Sequence, residues 1–430
     1  MLKKLLKKII PQFILSFYHK VLSLLGAFLY GYPSRKLKVI GVTGTNGKST
    51  VVNLISFLLE KGGYRVGYTS TVGFKINEQE WLNNKKMTML GRLALQKILK
   101  RMVKEKCDYA IIETSSEGIK QYRHLGIDYD LAVFTNLTPE HLESHGGFEN
   151  YKQAKLELFK NLSKCKKKVG AEKVIIANKD DEYFTEFFNN QANQKFSFSI
   201  NNDSDFQAQD IRVEDFSTKF KVQDIDFIIN ILGEFNVYNI LTALAVCSTQ
   251  GLSLKKMSEY LQDFEGTPGR MEFIQNKKGI RILVDYAPEI ESLKQLYKTL
   301  DLFHYNRLIH VLGSCGGGRD KSRQPILGQM AGQKADIVIV TNEDPYDDDP
   351  MEIINNVAQG AIEKGKILDK DLFKMENRRE AIKKALKLAR ADDLVLLTGK
   401  GAEQYICVAG GRKIAWDERV VIKELLKEIK

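Results

Sequence analysis

Proline is scarce, with 8 in 430 residues, and the 5 cysteines are neither paired nor clustered. Cys107, Cys165, Cys247, Cys315 and Cys407 are odd in number, far apart and contain no CxxC. That excludes a disulfide framework and a cysteine zinc site, and reads as reduced cytosolic thiols. Zinc-finger spacing, an aromatic RNA-binding signature and an arginine-rich recognition helix are also missing, so the formal charge of +11 does not point to nucleic acid. The surplus fits acidic ligands such as nucleotides, or an anionic membrane surface, but composition alone identifies no partner. No segment repeats at a fixed period, and nothing is low-complexity beyond short lysine runs. No apolar run reaches the roughly 20 uninterrupted residues that a transmembrane helix needs.

Glycine, by contrast, is frequent at 32, and the composition (43% hydrophobic, 28% charged) is that of a globular protein long enough for two or three domains. The first 30 residues, MLKKLLKKIIPQFILSFYHKVLSLLGAFLY, place Leu2, Leu5, Leu6, Ile9, Ile10, Phe13, Ile14 and Phe17 at helical spacing, with Lys3, Lys4, Lys7 and Lys8 on the other side. No small-residue cleavage pattern follows, so a signal peptide is not indicated. Pro11, Gln12, His19 and Lys20 interrupt the apolar run. Residues 1–35 therefore read as a basic amphipathic leader helix. Its apolar side would lie either at an anionic membrane interface, peripheral to the cytoplasm, or against the protein's own body or a second subunit.

After Pro33 the pattern becomes strand, glycine-rich turn, helix. Leu37–Val42 is a short apolar strand and Ser49–Leu59 an apolar helix. The runs Tyr109–Glu113, Leu131–Thr135 and Val174–Ala177 alternate with helical stretches, as in a parallel sheet covered on both faces. Residues 196–232 alternate polar with apolar and predict an antiparallel appendage. A second series, Ile282–Asp285, Leu308–Leu312, Ile337–Thr341 and Leu394–Leu397, begins beyond the turn-rich Gly266–Gly269. The plan is α/β: a P-loop ATPase domain with a parallel sheet over 36–265, then a Rossmann-like α/β domain over 266–430.

The strongest local signal is Gly44-Thr45-Asn46-Gly47-Lys48-Ser49-Thr50, between that first strand and helix. Glycines let successive N–H groups curl toward a phosphate, and the helix N-terminus adds a favourable dipole. Lys48 would reach the β- and γ-phosphates, and Ser49 would ligate magnesium. Standard P-loop spacing requires glycine at position 42, which here is Val42, so the loop is a variant supported by its strand–helix context. A purely structural glycine turn is the alternative. Glu113, ending a strand on the phosphate side, suits a hard cation coordinated by oxygen.

GTNGKST resembles the Mur ligase and folylpolyglutamate synthetase superfamily, and the resemblance runs from about residue 36 to the end. Glu113-Thr114-Ser115-Ser116-Glu117-Gly118 is similar to E-x-S-S-H-G. Phe134 to Leu142 resembles F-T-N-L-x-x-D-H-L, and Tyr151 to Phe159 (YKQAKLELF) the segment with a carbamylated lysine. Gly233 to Asn239, Pro268 to Glu272, Asp285-Tyr286-Ala287, Gly316 to Arg323 and Gly399 to Glu403 follow in the family's order. Within the Mur ligases the blocks look most like the branch that adds the third residue of the peptidoglycan stem peptide.

The resemblance implies an amide ligase that uses ATP and two Mg2+ ions. Lys48, Glu113, His141 and Lys155 would act in the chemical step. Ser49, Glu113, His141 and a carbamylated Lys155 would hold the metals. The nucleotide would meet residues 44–50 with Asn236, Arg270 and Asp285. Thr88, Ser115, Arg123, Arg319, Asp344, Tyr346, Gly399 and Glu403 would face the acceptor or the amino acid. The γ-phosphate would convert a carboxylate to an acyl phosphate, which an amine then attacks.

The departures concern substrates. The family's first domain, which holds the uridine nucleotide, is matched by nothing but the short leader. The histidines expected after Ser116, after Ala287 and inside G-K-G-H-E are Glu117, Pro288 and Ala402. D-N-P-R, which clamps the distal carboxylate of meso-diaminopimelate in the family, is Glu343-Asp344-Pro345-Tyr346, followed by Asp347, Asp348 and Asp349. With the arginine gone and acids nearby, the expected partners are an L-lysine-like diamino acid and a muramoyl-peptide-like acceptor. The alternative for these aspartates is a solvated helix N-terminus. Two other functions stay open: a folylpolyglutamate-synthetase-like ligase, against which GKST in place of GKGS speaks, and a membrane-associated nucleotide-binding protein without ligase activity.

Overall fold

The strand that precedes the glycine loop is β1 (Lys38–Thr43) in a computed structural model that describes residues 11–140, 145–214, 217–302 and 304–429. His141 and the first ten residues lie outside these. The chain divides into two units. One takes the described residues up to Asp210 with Phe220–Phe227 and Val237–Phe264; the other takes Ile211–Lys219, Ile228–Asn236 and everything from Glu265.

In the first unit β1 sits inside a nine-stranded sheet with β2 (Val66–Thr69), β3 (Gly73–Ile76), β4 (Gln79–Leu82), β5 (Tyr109–Glu113), β6 (Leu131–Phe134), β7 (Val174–Asn178), β8 (Gln194–Ser199) and β9 (Phe206–Gln207), in the order 4-3-2-5-1-6-7-8-9. β1 pairs in parallel with β5 and β6, and Val42 stands level with Glu113. The chain thus delivers Glu113 beside the loop that leaves β1, at the carboxyl end of the strands where α/β sheets bind ligands. β1, β5 and β6 are buried almost throughout, as strands covered on both faces must be. The antiparallel pairs β2–β3 and β3–β4 finish one edge.

The segment expected as an antiparallel appendage divides. β8, with its alternating FSFS, pairs in parallel with β7 and extends the main sheet. A separate three-stranded sheet is formed by β10 (Gln209–Glu214), β11 (Ser217–Val222) and β12 (Ile225–Ile229).

Within the leader, Gln12–Leu29 is a helix. It rests on the helix Arg92–Lys104, with Gly26 against Leu93 and Gln96 and with Ser23 and Ala27 also buried. Ser23 Oγ donates to the Tyr122 carbonyl at 2.8 Å. One face therefore packs on the body, which was one of the two alternatives. Among the described residues no helix is long and apolar enough to cross a membrane.

The second unit carries a six-stranded sheet of β13 (Glu272–Phe273), β14 (Arg281–Val284), β15 (Leu308–Leu312), β16 (Ile337–Thr341), β17 (Leu372–Met375) and β18 (Leu394–Leu397), ordered 13-14-18-15-16-17. All pairs are parallel except β13–β14. Apolar clusters cover both faces, one around Leu283, Leu396 and Val357, the other around Ile282, Val395 and Ile422.

Candidate active site

The glycine loop is shaped by contacts that only glycine permits. At Gly44 (φ 154°) a Cβ would lie 1.9 Å from Thr135 Oγ1, and at Gly47 (φ 82°) 2.2 Å from Asn239 Oδ1. Asn136 fixes the first half: its carbonyl accepts from the Thr45 N–H and its Oδ1 from the Asn46 N–H, both at 2.8 Å. Thr45 Oγ1 lies 3.0 Å from the Tyr151 hydroxyl. The helix Lys48–Lys61 then begins, with Gly47 as its left-handed N-cap and Ser49 and Thr50 buried in its first turn. The leading N–H groups of a helix have no intrahelical acceptor and suit an anion. Lys48 Nζ donates to the Thr45 carbonyl at 2.6 Å, so its cation already lies over the loop. This cradle fits the phosphates of a nucleotide.

Beside it Ser49 Oγ donates to Glu113 Oε2 at 2.8 Å. Thr71 donates its N–H to the same oxygen at 2.7 Å and its hydroxyl to Oε1 at 2.8 Å. Glu113 is 1% exposed, and such a carboxylate needs these donors or a cation. A serine hydroxyl paired with a carboxylate is a hard-oxygen donor set, which fits Mg2+ if phosphate and water complete the shell. Among the described residues no three His, Cys, Asp or Glu converge as a metal cluster.

Lys155, on the helix Phe148–Leu162, points into the same floor. It is 1% exposed, donates to the Gly44 carbonyl at 2.6 Å and lies 4.5 Å from the Tyr151 ring centre. Burial first, then the Lys48 cation, push its ammonium well below the ordinary lysine range, against Glu140 and Glu113. Thr88 Oγ1 lies 2.9 Å from Thr71 Oγ1, which, its own proton given to Glu113, accepts from it; this brings Thr88 to Glu113's rim. Ser115 caps the short helix Ser116–Lys120 by accepting from the Gly118 N–H. Arg123 donates to the Met89 carbonyl and to Gln121, holding the strip that carries Thr88.

In the second unit Asp285 accepts from the Met271 and Ala287 N–H groups, and the Arg270 guanidinium stands 4.2 Å from the Tyr286 ring centre. Burial raises the Asp285 carboxyl, and Arg270 opposes that. Asn236 is buried and donates to the Leu232 carbonyl at 2.7 Å, shaping its own turn. Arg319 lies 3.5 Å from Glu289, which Arg323 also engages.

The expected acidic loop is more varied than its sequence. Asp344 is buried, pairs with Lys400 Nζ at 3.0 Å and accepts from the Cys407 N–H at 2.7 Å. Lys400 also reaches Glu403, and Gly399 donates to the Tyr286 carbonyl. Asp347 accepts from the Gly410 N–H, Asp348 from the Gly317 N–H, and Asp349 caps the helix Pro350–Ile362. The helix-terminus alternative thus holds for Asp349. Tyr346 takes a left-handed backbone (φ 55°) and lays its ring on Gly317.

The sequence reading did not single out Thr71, Asn136, Tyr151, Asn239, Lys400 or Glu289. Asn136 and Lys400 lie inside motifs it quoted, and Tyr151 begins one. Thr71 carries no local signal at all.

Residues 42–247 match the Mur ligase middle domain, and residues 269–401 match the Mur ligase, glutamate ligase domain. The UDP-N-acetylmuramoyl-L-alanyl-D-glutamate--2,6-diaminopimelate ligase 1 of Clostridium acetobutylicum is 35% identical over 418 residues, 95% of this chain and 82% of that protein. A solved structure of a UDP-N-acetylmuramoyl-L-alanyl-D-glutamate--2,6-diaminopimelate ligase superposes with a TM-score of 0.61 at 31% identity, over 91% of this chain and 78% of that one. The folylpolyglutamate synthase of Mycobacterium tuberculosis superposes with a TM-score of 0.69 over 88% of this chain and 91% of that one. At 18% identity it shares the fold alone. With both domains matched and such identity across nearly its whole length, the chain belongs to the Mur ligase family of ATP-dependent ligases.

Proposed function

We propose that this ligase joins an amino acid to a carboxylate of a muramoyl-peptide acceptor, related to the UDP-N-acetylmuramoyl-L-alanyl-D-glutamate for which its relatives are named. The observation that carries the reading is the buried Ser49–Glu113 pair at the mouth of the helix Lys48–Lys61, with Lys48 over the loop. ATP supplies the phosphoryl group that converts the acceptor carboxylate to an acyl phosphate, from which phosphate leaves when the amine attacks the carbonyl carbon. Lys48 exchanges the Thr45 carbonyl for phosphate oxygens and neutralises charge there. Ser49 and Glu113 would hold Mg2+, and Thr71 fixes both carboxylate oxygens so that the pair keeps its geometry.

Lys155 is the residue that would carry a carbamate. Its burial, with no acidic hydrogen-bond partner among the described residues, favours the neutral amine, whose lone pair can attack CO2. An N–C bond forms, one C=O bond becomes C–O−, and the nitrogen releases a proton. The result is an anionic oxygen ligand where a cation stood, suited to a second Mg2+ together with His141. For the incoming amino acid, Tyr346 in place of arginine and the flanking aspartates support a side-chain ammonium, as in L-lysine, over a distal carboxylate.

The test is a screen of radiolabelled amino acids with UDP-linked and lipid-linked muramoyl peptides, followed as ADP release. The expected result is ATP turnover that needs both acceptor and amino acid. Turnover indifferent to the acceptor, or nucleotide binding without turnover, would overturn it.

A further inference from the structure

The helix Gln12–Leu29 is inverted relative to an ordinary surface helix. Its buried stripe is made of small residues, and its solvent face is made of large apolar ones. Phe13, Phe17, Val21, Leu24 and Phe28 recur at spacings of 3 and 4 along that face, and Phe13, Phe17 and Phe28 are 73%, 68% and 65% exposed. Taken with its neighbours the ridge presents on the order of 1,000 Å2 of apolar surface, against the few hundred Å2 of the largest patch on a typical soluble monomer. The helix is not loosely attached, because Ser23 and the close contact of Ala27 with Gly126 lock its other face to the body.

Charge identifies what covers the ridge. The helix Gln12–Leu29 carries Lys20 and no Asp or Glu. The neighbouring helix Arg92–Lys104 adds five cations and again no acid. Lys20, Lys97 and Lys100 are exposed there, and Leu93 extends the apolar surface onto this second helix. A second copy pairing on the same patch would set these cations against themselves, with no carboxylate on either helix to answer them. An anionic bilayer meets both features: its acyl boundary takes the phenylalanines and leucines, and its headgroups take the lysines. No described helix is long and apolar enough to span, so the contact is one of lying in the interface.

We propose that the exposed face of Gln12–Leu29, with the cations of Arg92–Lys104 beside it, seats this protein on an anionic membrane surface. The reading does not depend on the ligase substrates. It is tested with the full chain by co-sedimentation with phosphatidylglycerol-containing vesicles and with pure phosphatidylcholine vesicles. The protein should pellet with the anionic vesicles, and less so as salt rises. The variant F17E/L24E/F28E should lose about tenfold or more of that binding and K97E/K100E several-fold. Both should keep the wild-type melting profile, because these positions are exposed. Wild-type protein that stays in the supernatant with anionic vesicles overturns the proposal, as does a triple variant that pellets equally well. A vesicle-free dimer that F17E/L24E/F28E converts to monomer, without vesicle binding by either, overturns it in favour of self-association.

Discussion

Ser49 Oγ and Glu113 Oε2 stand 2.8 Å apart, joined across 64 residues by the parallel pairing of the strands that precede them. That distance makes them one donor set, and the two should fail together. Glu113→Gln preserves shape but removes the charge, and Ser49→Ala removes the hydroxyl. Each should lower kcat by about 100-fold or more, and the double variant by little beyond the worse single one, since residues acting as a unit are not additive. Mg2+ titration of ATP turnover in the four proteins decides it. Fully additive losses at saturating Mg2+ would show that the pair does not share an ion.

Lys155 gives a prediction with its own rescue. Lys155→Ala should abolish nearly all ligation, and a short-chain carboxylate or high bicarbonate should restore part of it by filling the vacated floor beneath Gly44. Intact-mass measurement of the wild type under CO2 should show an adduct of one CO2 that Lys155→Ala lacks. Full activity in the alanine variant would sink the carbamate.

How far the site could be read from the sequence follows from how local each contact is. Gly44 to Thr50 and the helix after them lie within one short segment, so strand, loop and phosphate cradle were legible together. Glu113 was legible because it ends an apolar strand. Thr71 was not, because its three bonds around Glu113 and Thr88 exist only once β2 and β5 lie side by side. The same limit applies to Asp344. In sequence it extends a run of acids, but in the fold Lys400, 56 residues on, neutralises it in the interior. β8 misled through pattern: alternation normally marks a half-exposed antiparallel strand, yet here it belongs to a parallel strand near the sheet's edge, paired on one side only with the short β9.

His310 supplies a pH dependence in the second unit. It is fully buried, bonded to the Tyr297 hydroxyl at 2.7 Å and Thr398 Oγ1 at 3.0 Å, and burial pushes its pKa down to about 3. The unfolded value is about 6.5. A depressed histidine binds its proton more readily unfolded, so its contribution is complete above pH 6.5 and is lost as pH falls toward 3. At pH 5 the loss should be about 2 kcal/mol relative to pH 7.5. Urea unfolding followed by Trp416 in a Trp81→Phe background reports this unit. His310→Gln should be less stable at both pH values and should show about 2 kcal/mol less change between them. Parallel curves for the two proteins would show that His310 does not titrate in this way.

Tyr346 decides the last prediction, the choice of amino acid. A distal carboxylate is held best by a guanidinium, whose paired N–H groups match its two oxygens. At position 346 the chain offers a tyrosine ring laid on Gly317, with Asp347, Asp348 and Asp349 following. Each of these aspartates accepts a backbone N–H, which fixes its position. Asp344 is neutralised by Lys400, so the repulsion comes from the loop rather than the interior. A side-chain ammonium would be drawn to the same loop that repels a carboxylate. With one accepted acceptor, kcat/KM should therefore favour L-lysine or ornithine over meso-diaminopimelate by about tenfold or more, the scale of one unpaired charge at a rim. Arg319→Ala should weaken both substrates alike, because both carry the α-carboxylate it would meet. Tyr346→Arg should move the preference toward meso-diaminopimelate, the left-handed backbone there being as accessible to arginine as to tyrosine. A wild-type preference for meso-diaminopimelate would overturn the charge argument and leave the three aspartates as anchors of their loop.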